Sequence, residues 1–395
     1  MKEGWEYIAF KDVYPIKMGK TPPRGDKSSW DEKKETHNKW VSIADISNNE
    51  GKIIEDTKEY ISDSAAEKIN KVSKGSLLMS FKLSIGRMAF AGDDLYTNEA
   101  IIAIPKNDKY VLRFIYYYLL SYDWLSLTEG NEKVKGATLN KTSIGKIQLP
   151  VLSLIEQQSI VDYLDSTFAK IDAMKANAEK ALNEAKALFQ ASLKEMLEPK
   201  EGWEKKRMDE VCSIARGGSP RPIKDYITND PNGLNWIKIG DTDMGGKYIY
   251  STKEKIKPEG LKKSRWVEED DFLLSNSMSF GRPYILKTNG CIHDGWLVLR
   301  DYQNYLNIDF FYYVLSSENV QRQFRTKAQG STVSNLNTDR VASVTIYVPP
   351  INEQLSIVDT LDSLKSKVDS LQENYDKISQ ECDALKQAIL RQVFE

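Results

Sequence analysis

The sequence predicts an α+β protein: two similar globular α/β domains in tandem, separated by two long helices packed as an antiparallel coiled coil with pseudo-two-fold symmetry. Three observations predict this fold class. The 395-residue chain repeats itself at a spacing of about 195 residues. Each repeat opens with about 150 residues of short apolar runs punctuated by Gly, Asn, Asp and Pro. Each repeat closes with roughly forty residues that contain neither Pro nor Gly.

The repeat is supported by seven short matches that occur in the same order in both halves. Their unbroken order indicates a tandem duplication, because two unrelated domains would share such runs only by coincidence, and the spacing is too long for a solenoid. The matches pair Glu3–Glu6 with Glu201–Glu204, Gly19–Pro22 with Gly217–Pro220, Trp40–Asp45 with Trp236–Asp241, Ser84–Arg87 with Ser279–Arg282, Phe114–Leu119 with Phe310–Leu315, Gly136–Thr138 with Gly330–Thr332 and Glu156–Asp162 with Glu353–Asp359.

Short apolar runs predict the elements of the globular parts. In the first repeat they predict strands at Trp40–Ile46, Ser76–Ser80, Met88–Ala91 and Ala100–Ile104. Aromatic-rich helices are predicted at Tyr110–Ser121 and Asn307–Ser317. Their Tyr and Phe side chains could form core or a platform for stacked bases, and we expect core.

Long helices are predicted at Glu156–Leu197 and Glu353–Phe394, each roughly 63 Å long. Apolar residues spaced by three and four predict a coiled-coil seam. Neither helix can bury such a stripe on its own domain alone, and the short connections favour an antiparallel pair. The predicted seam is Leu164, Phe168, Ile171, Leu182 and Phe189 in the first helix and Leu361, Leu364, Val368, Leu371, Ile378, Leu385 and Ile389 in the second. The predicted segments are a globular domain at 1–152, a helix at 153–198, a globular domain at 199–350 and a helix at 351–395.

Charge follows the same division. The whole chain carries a net charge of −2, but residues 1–150 carry +2 and 199–348 carry +3, whereas 151–198 carry −3 and 349–395 carry −4. The globular parts therefore permit a basic face, and the acidic helices suit a protein partner better than nucleic acid.

Several classes of protein are not indicated. The three cysteines are far apart and odd in number, which fits neither a disulfide framework nor a zinc site and favours the cytoplasm. No apolar run is long enough to span a bilayer, and no export signal is visible. His37 and His293 lack neighbouring ligands at metal spacing, and Gly19–Thr21 lacks the upstream glycine of a P-loop. With no catalytic motif present, we expect no catalytic and no metal site.

Four elements carry a family resemblance: the Gly-x-Thr/Ser-Pro element, the Trp-Ile-x-Ile-x-Asp strand, the Ser-x-Gly-Arg turn and the Pro-Pro-x-x-Glu-Gln-x-x-Ile-Val helix opening at Pro349–Val358. Together they resemble the specificity (S) subunit of type I restriction-modification systems over essentially the full chain. The first copy departs from the helix opening, because it has one Pro at Pro150 and three more residues before Glu156.

The resemblance implies two target-recognition domains, each reading one half of a bipartite DNA site, and two helical regions that fix the spacer and dock partners. Two-fold dimers read paired half-sites in the same way. The implied partners are double-stranded DNA, methyltransferase (M) subunits and restriction/translocase (R) subunits, with no membrane. The chain itself is implied to be non-catalytic and without cofactor, since S-adenosylmethionine, ATP and Mg would be held by the partner subunits.

Polar and basic residues at the duplicated turns are the candidate DNA contacts. Their alternative role is structural, with the turn arginine paired to a nearby carboxylate. The second globular part has 9 Arg against 3 in the first, and arginine forks suit guanine, so a second half-site containing G is a hypothesis. The candidates are Lys20, Thr21, Arg24, Lys82, Ser84, Arg87, Arg216, Ser219, Arg221, Asn276, Ser279 and Arg282.

Two other functions stay open from the sequence. One is the specificity chain of a related enzyme whose partner polypeptide fuses cleavage and methylation. The other is a coiled-coil scaffold whose globular domains bind protein and not DNA.

Overall fold

The structure is a computed structural model, and it describes residues 2–82, 84–124, 139–242, 246–276, 281–328 and 336–395. By its contacts the chain divides into two compact units: Met1–Ala178 with Asp376–Glu395, and Glu179–Tyr375. Each unit therefore contains one globular part and a stretch of both long helices. The predicted segments, with boundaries at residues 152, 198 and 350, follow the chain and not its contacts, and they stay a prediction.

The described part of the first unit folds around three small sheets. Its strands are Glu6–Ala9, Lys39–Val41, Ile53–Ile54, Glu59–Tyr60, Leu77–Ser80, Met88–Ala91, Tyr96–Thr97, Ile101–Ile104 and Gln148–Val151. Its helices within the globular part are Phe10–Val13, Ile43–Asn48, Asp63–Ala66, Leu112–Ser121 and Lys141–Gly145, with a 3-10 turn at Lys27–Ser29.

The predicted strands of the first unit are confirmed except for one. Leu77–Ser80, Met88–Ala91 and Ile101–Ile104 match the prediction to within one residue. The prediction of a single strand at Trp40–Ile46 is wrong, because the strand ends at Val41 and a helix begins at Ile43. Ser42 and Asp45 form a reciprocal capping box there, and this starts a helix that the apolar pattern alone does not reveal.

The second unit repeats this plan with larger sheets. Its strands are Glu204–Arg207, Ser213–Arg216, Ile227–Thr228, Leu234–Ile237, Tyr248–Ile249, Glu254–Ile256, Arg265–Val267, Phe272–Ser275, Pro283–Leu286, Gly290–Ile292, Trp296–Arg300 and Thr345–Val348. Its helices are Met208–Val211, Ile308–Ser316, Glu318–Ala328 and Thr338–Ala342, with 3-10 turns at Ile223–Asp225, Ile239–Asp241 and Pro258–Lys263.

One strand arrangement is common to both units. The strand that carries Trp40 pairs in parallel with Tyr96–Thr97 and antiparallel with Glu59–Tyr60. In the second unit the strand that carries Trp236 pairs in parallel with Gly290–Ile292 and antiparallel with Glu254–Ile256. The loop that follows the parallel strand thereby comes to lie beside the Gly-x-Thr/Ser-Pro turn of its own unit.

The aromatic helices, Leu112–Ser121 and Ile308–Ser316, form core, as expected. Phe114 and Phe310 are completely buried. Tyr117 and Tyr313 point towards the long helices, where the Tyr117 hydroxyl donates to Asp165 and the Tyr313 hydroxyl to Asp362. The Tyr and Phe side chains of these helices therefore join each globular part to a long helix, and they serve as core and not as a platform for stacked bases.

The two long helices span Leu154–Met196 and Ile351–Phe394. The first helix begins after a strand that still contains Pro150, and Ser153 caps it through a reciprocal bond with Glu156. Val151 and Val348 pair with the equivalent Glu6 and Glu204, and each precedes the motif glutamate by five residues, so Pro150 corresponds to Tyr347 and the first copy has no insertion.

The glutamine of the Glu-Gln motif is buried in both units. Gln157 accepts a hydrogen bond from the Val111 N–H and donates to the carbonyls of Lys109 and Leu152. Gln354 makes the same three bonds with the main chain of its own unit. Each glutamine thus satisfies backbone groups at the loop before the aromatic helix and at the start of the long helix.

Within each unit the two helix stretches run antiparallel. In the first unit Lys386 bonds to Asp172 at 2.5 Å and Lys175 to Asp383 at 3.4 Å, so the residue numbers rise in one helix as they fall in the other. In the second unit Lys186 bonds to Gln372 at 2.7 Å, and Phe189 lies in one cluster with Leu361 and Val368. No helix among the described residues is long and apolar enough to cross a bilayer.

Of the twelve predicted seam residues eight are buried, three are half-buried and one is exposed. Leu385 is 48% exposed, so its assignment to the seam is wrong. Beyond Cys382 the helix packs against the globular core as well as the other helix, which turns the buried face towards Leu390 and Phe394 and leaves Leu385 outside. Leu364, Leu371 and Ile378 are half-buried, and the buried members are Leu164, Phe168, Ile171, Leu182, Phe189, Leu361, Val368 and Ile389.

Candidate nucleic-acid interface

Asp294 is the centre of the candidate site in the second unit. It follows the parallel strand Gly290–Ile292, and its carboxylate faces the Gly-x-Ser-Pro turn. The Ser219 hydroxyl donates to Asp294 Oδ1 at 2.6 Å, and Arg221 Nη2 lies 3.3 Å from Oδ2. The hydrogen bond from Ser219 is the main reason why the pKa of Asp294 is below its usual range.

The main chain of Asp294 is held as firmly as its side chain. Its carbonyl accepts from Arg216 Nε at 3.0 Å and from Asn276 Nδ2 at 2.8 Å. The structure therefore gathers four of the predicted residues of this unit around Asp294, two on its carboxylate and two on its main-chain carbonyl. Asn276 is only 1% exposed, so its prediction as a DNA contact is corrected. Its amide instead donates to the Asp294 carbonyl and supports that loop.

Further basic residues surround the same turn. Arg265 Nε donates to the Arg216 carbonyl at 2.6 Å, and the main chain of Lys263 passes next to Gly218. The side chains of Arg216, Arg221, Lys263 and Arg265 are all exposed. The turn and the segment at Lys263–Arg265 together present four exposed cationic side chains, which is a surface suited to a polyanion.

The glycines that open the two turns allow a very close approach of main chains. A Cβ atom at Gly217 would lie 2.2 Å from the carbonyl oxygen of His293, and one at Gly19 would lie 1.9 Å from that of Thr97. No side chain fits at such distances. The glycine in the Gly-x-Thr/Ser-Pro element is therefore required to bring the turn against the loop after the parallel strand.

The first unit forms the same link with different residues. The Thr21 hydroxyl donates to Glu99, which occupies the place that Asp294 has in the second unit. This hydrogen bond is the main cause that lowers the pKa of Glu99, and Lys82 contributes to the same effect. Lys20 is exposed beside it, and its main-chain N–H donates to the Thr97 carbonyl at 2.8 Å. The structure thus brings Lys20, Thr21 and Lys82 together.

Arg24 has a different environment from the arginine of the second turn. Its guanidinium lies 4.2 Å from the ring centre of Trp30 and 4.9 Å from that of Trp40. Both terminal nitrogens bond to the carboxylate of Glu59. The guanidinium of Arg24 is thus held by three residues of its own unit.

The Ser-x-Gly-Arg turns are placed apart from these carboxylates. Gly86 and Gly281 have φ values of +80° and +81°, which glycine adopts without strain. Ser84 is half-buried, with its carbonyl accepting from Ser80, and the exposed Arg87 lies 3.4 Å from Glu50. Arg282 is exposed at a cavity of about 510 Å³ that Tyr284 and Tyr312 also line. Ser279 lies outside the described residues.

His293 and Asn98 occupy equivalent places before the two carboxylates. His293 Nδ1 accepts from the Gly295 N–H at 2.7 Å, and Asn98 Oδ1 accepts from the Ala100 N–H at 2.9 Å. His293 Nε2 accepts from the Ile239 N–H at 3.3 Å, so the ring contacts the main chain on both sides. Burial, with a smaller effect from Lys238, lowers the pKa of His293 below its usual value.

Sequence comparison missed Asn98, Glu99, His293, Asp294, Lys263 and Arg265. The two loops share no residue identity, so aligning the repeats passes over them. A signal was nevertheless present, since each repeat has a carboxylate two positions after a short apolar strand and a turn hydroxyl that needs an acceptor. Among the described residues no group of three His, Cys, Asp or Glu side chains could hold a metal ion.

The repeat is matched by a known family model. The model described as the type I restriction modification DNA specificity domain matches residues 2–184 and again 200–380. S.HindORF215P of Haemophilus influenzae, named as a type I restriction enzyme specificity subunit, is 24% identical over 278 residues, which are 69% of each chain. The EcoR124I/EcoR124II specificity subunit of Escherichia coli is 26% identical over 267 residues, 65% of this chain and 64% of that one.

A solved structure shows the same fold along the whole chain. A chain solved in a study of complex assembly and conformational transition of the type I R-M system aligns with a TM-score of 0.79 at 19% identity, covering 100% of this chain and 98% of that one. With two matches of the family model, two equivalent turns and this fold, the chain belongs to the type I restriction-modification DNA specificity family.

Proposed function

We propose that this protein is the DNA-recognition subunit of a type I restriction-modification complex. Each globular part reads one half of a bipartite DNA site, and the helix pair fixes the spacer and docks methyltransferase subunits. Restriction subunits join the same assembly, and S-adenosylmethionine, ATP and Mg²⁺ are held by these partners. The three cysteines are buried and unpaired, which supports work in the cytoplasm.

One observation carries this proposal: the same turn is built twice and surrounded differently. Thr21 with Glu99 and Ser219 with Asp294 form equivalent hydroxyl–carboxylate bonds. The neighbouring basic groups differ between the two units, with lysines near the first carboxylate and arginines near the second. A common frame that holds unlike polar groups is what two readers of two different half-sites need.

The helices support partner docking independently. Ile155 is 83% exposed, Met174 60% and Leu188 59%, so these apolar side chains point away from the seam. The segments that carry them are acidic, whereas the globular parts are mildly basic. Apolar side chains on an acidic helix favour a protein surface as partner and not a DNA backbone.

The proposed DNA contacts follow from exposure. We keep the residues whose polar groups remain accessible at the turns, and we leave out Arg24 and Asn276 because each is engaged inside its own unit. Ser279 stays a prediction from the sequence. The contacts kept from the sequence are Lys20, Thr21, Lys82, Ser84, Arg87, Arg216, Ser219, Arg221 and Arg282, and the structure adds Lys263 and Arg265.

The deciding experiment sequences the methylated bases of host DNA with and without this gene. The expected result is a discontinuous motif, two short sequences separated by a fixed unread spacer, that disappears with the gene. Purified chain assembled with its methyltransferase subunits should methylate the same motif. If random DNA competes as well as the motif, the chain does not read sequence, and the alternative function, a coiled-coil scaffold whose globular domains bind protein, is favoured.

The spacer role has its own test, because the two compact units divide each long helix at a definite place. We would insert one heptad after Ala178 and another after Tyr375, so that the contacts inside each unit are kept. Seven residues lengthen a helix by about 10 Å, which corresponds to about 3 base pairs of DNA. The expected motif has unchanged half-sites and a longer spacer, and an unchanged spacer would defeat the ruler role.

A further inference from the structure

The arginines of the two equivalent turns differ in their contacts and in their exposure. Arg24 follows Thr21 by three residues, and Arg221 follows Ser219 by two. The guanidinium of Arg24 lies against Trp30 and Trp40 and is closed off by the carboxylate of Glu59. Both its face and its fork of donors are therefore occupied within the first unit.

Arg221 keeps its donors accessible. Its side chain is 80% exposed, compared with 55% for Arg24. The contact that the described residues give it is Nη2 to Asp294 Oδ2 at 3.3 Å. Because a guanidinium has five N–H donors, this one contact on an exposed side chain leaves donors for a ligand.

Asp294 holds Arg221 from a position that is itself fixed. Its other carboxylate oxygen accepts from Ser219, and its main-chain carbonyl accepts from Arg216 and Asn276. A side chain that is oriented by a rigid neighbour loses less conformational entropy on binding. The carboxylate therefore orients the arginine through one terminal nitrogen, while the side chain stays 80% exposed.

The surroundings indicate which ligand the fork meets. Arg216 and Arg265 are exposed and joined to each other beside the turn, the exposed Lys263 has its main chain next to Gly218, and such cationic groups suit phosphates. A guanidinium that presents two parallel N–H groups at the centre of such a surface matches the O6 and N7 acceptors of guanine, which lie side by side in the major groove.

We propose that Arg221 reads a guanine in the half-site bound by the second unit, and that Asp294 is its positioning residue. Arg24 takes no part in reading the first half-site, since its guanidinium is committed to Glu59 and the two tryptophans. The inference rests on the proposed function and names the residue and the base that give the second unit its specificity.

The test uses the whole chain assembled with its methyltransferase subunits. Duplexes that carry single-base changes through both half-sites compete for binding, so that the preference at each position is measured separately. For Arg221→Ala and Arg221→Lys we expect one G·C position of one half-site to lose its preference by about 5- to 150-fold. Lysine should retain more of the overall affinity, because it keeps the charge and lacks the fork.

Asp294→Asn separates positioning from structural support. Asparagine can still accept from Ser219 but no longer attracts Arg221, so we expect the same G·C position to weaken by about 2- to 5-fold with the other positions unchanged. A merely structural role would lower the melting temperature of the second unit and weaken the preference at all positions evenly.

Arg207→Ala is the matched control: Arg207 is exposed in the same unit and paired with Asp209 at 2.6 Å, away from the turn. It should leave every base preference unchanged.

The outcomes distinguish this inference from the proposed function. If the unmodified complex shows no discontinuous motif, the proposed function fails. If it shows a motif that the Arg221 variants leave unchanged, or one without G·C in either half-site, only the inference about Arg221 is overturned. A loss of base preference in Arg24→Ala would overturn the distinction between the two arginines.

Discussion

The Ser219 hydroxyl donates a hydrogen bond of 2.6 Å to the Asp294 carboxylate, and this bond joins the Gly-x-Ser-Pro turn to the loop after the parallel strand. Thr21 and Glu99 form the equivalent bond in the first unit. Two residues 75 positions apart thereby fix the surface on which the basic side chains of the second unit stand.

Ser219→Ala should destabilise the second unit by about 1 kcal/mol at neutral pH, a value kept low because the carboxylate side chain is 41% exposed. The pKa of Asp294 is lowered mainly by this hydroxyl, so the stabilisation is present above the unfolded pKa and lost as the pH falls through the folded pKa. The difference between the variant and the unmodified chain should therefore shrink in acid. Thermal unfolding at pH 7 and pH 3 checks this, with Ser219→Thr as control. Equal stability at pH 7 would remove the role given to the hydroxyl.

Gln157→Leu should cost about 2 to 5 kcal/mol of stability, because leucine leaves one N–H and two carbonyl groups of the main chain without a partner at a fully buried site. The adjacent Gln158→Leu is the matched control, since Gln158 is exposed and its loss should change stability by less than about 0.5 kcal/mol. Denaturant unfolding measures both. A similar small effect in both variants would show that the motif glutamine is not a structural fastener.

The stability of the second unit should fall as the pH drops below about 6.5. Burial lowers the pKa of His293 in the folded state, even though Asp294 and Asp241 act in the opposite direction, so the neutral ring stabilises the fold above the unfolded pKa and this is lost as the pH falls through the folded pKa. His293→Asn should remove that dependence, because asparagine serves at the equivalent Asn98 position and does not titrate.

Melting temperatures measured between pH 8 and pH 5 test the His293 prediction. The exposed His37 provides the matched control, and His37→Asn should keep the pH dependence of the unmodified chain. If His293→Asn also keeps it, the titrating group lies elsewhere.

Phe394→Ala should destabilise the first unit by about 3 to 5 kcal/mol, since Phe394 is 2% exposed and packs against Trp5, Phe114 and Tyr118. Leu385→Ala on the same helix is the control, because a side chain that is 48% exposed should cost far less. Calorimetry should show a lower melting temperature for Phe394→Ala than for Leu385→Ala. Equal losses of stability in the two variants would contradict the buried face assigned to this helix.

The sequence by itself determined the repeat, the two long helices and the family. These features depend on local patterns: Pro and Gly end helices wherever they stand, apolar residues at spacings of three and four make a seam, and a duplication leaves matching motifs in order. The aromatic stripe was also predictable as core, because Tyr and Phe side chains bury a large apolar area, and Phe114 and Phe310 are completely buried.

Only the tertiary structure decided which polar residues face solvent. Whether Arg24 is free or held depends on Glu59, Trp30 and Trp40, which lie between 6 and 35 positions away along the chain. Whether Asn276 is exposed depends on the Asp294 loop, and the exposure of Leu385 depends on the core that meets its helix. Burial and pairing are set by contacts between distant segments, and a one-dimensional pattern carries no record of those contacts.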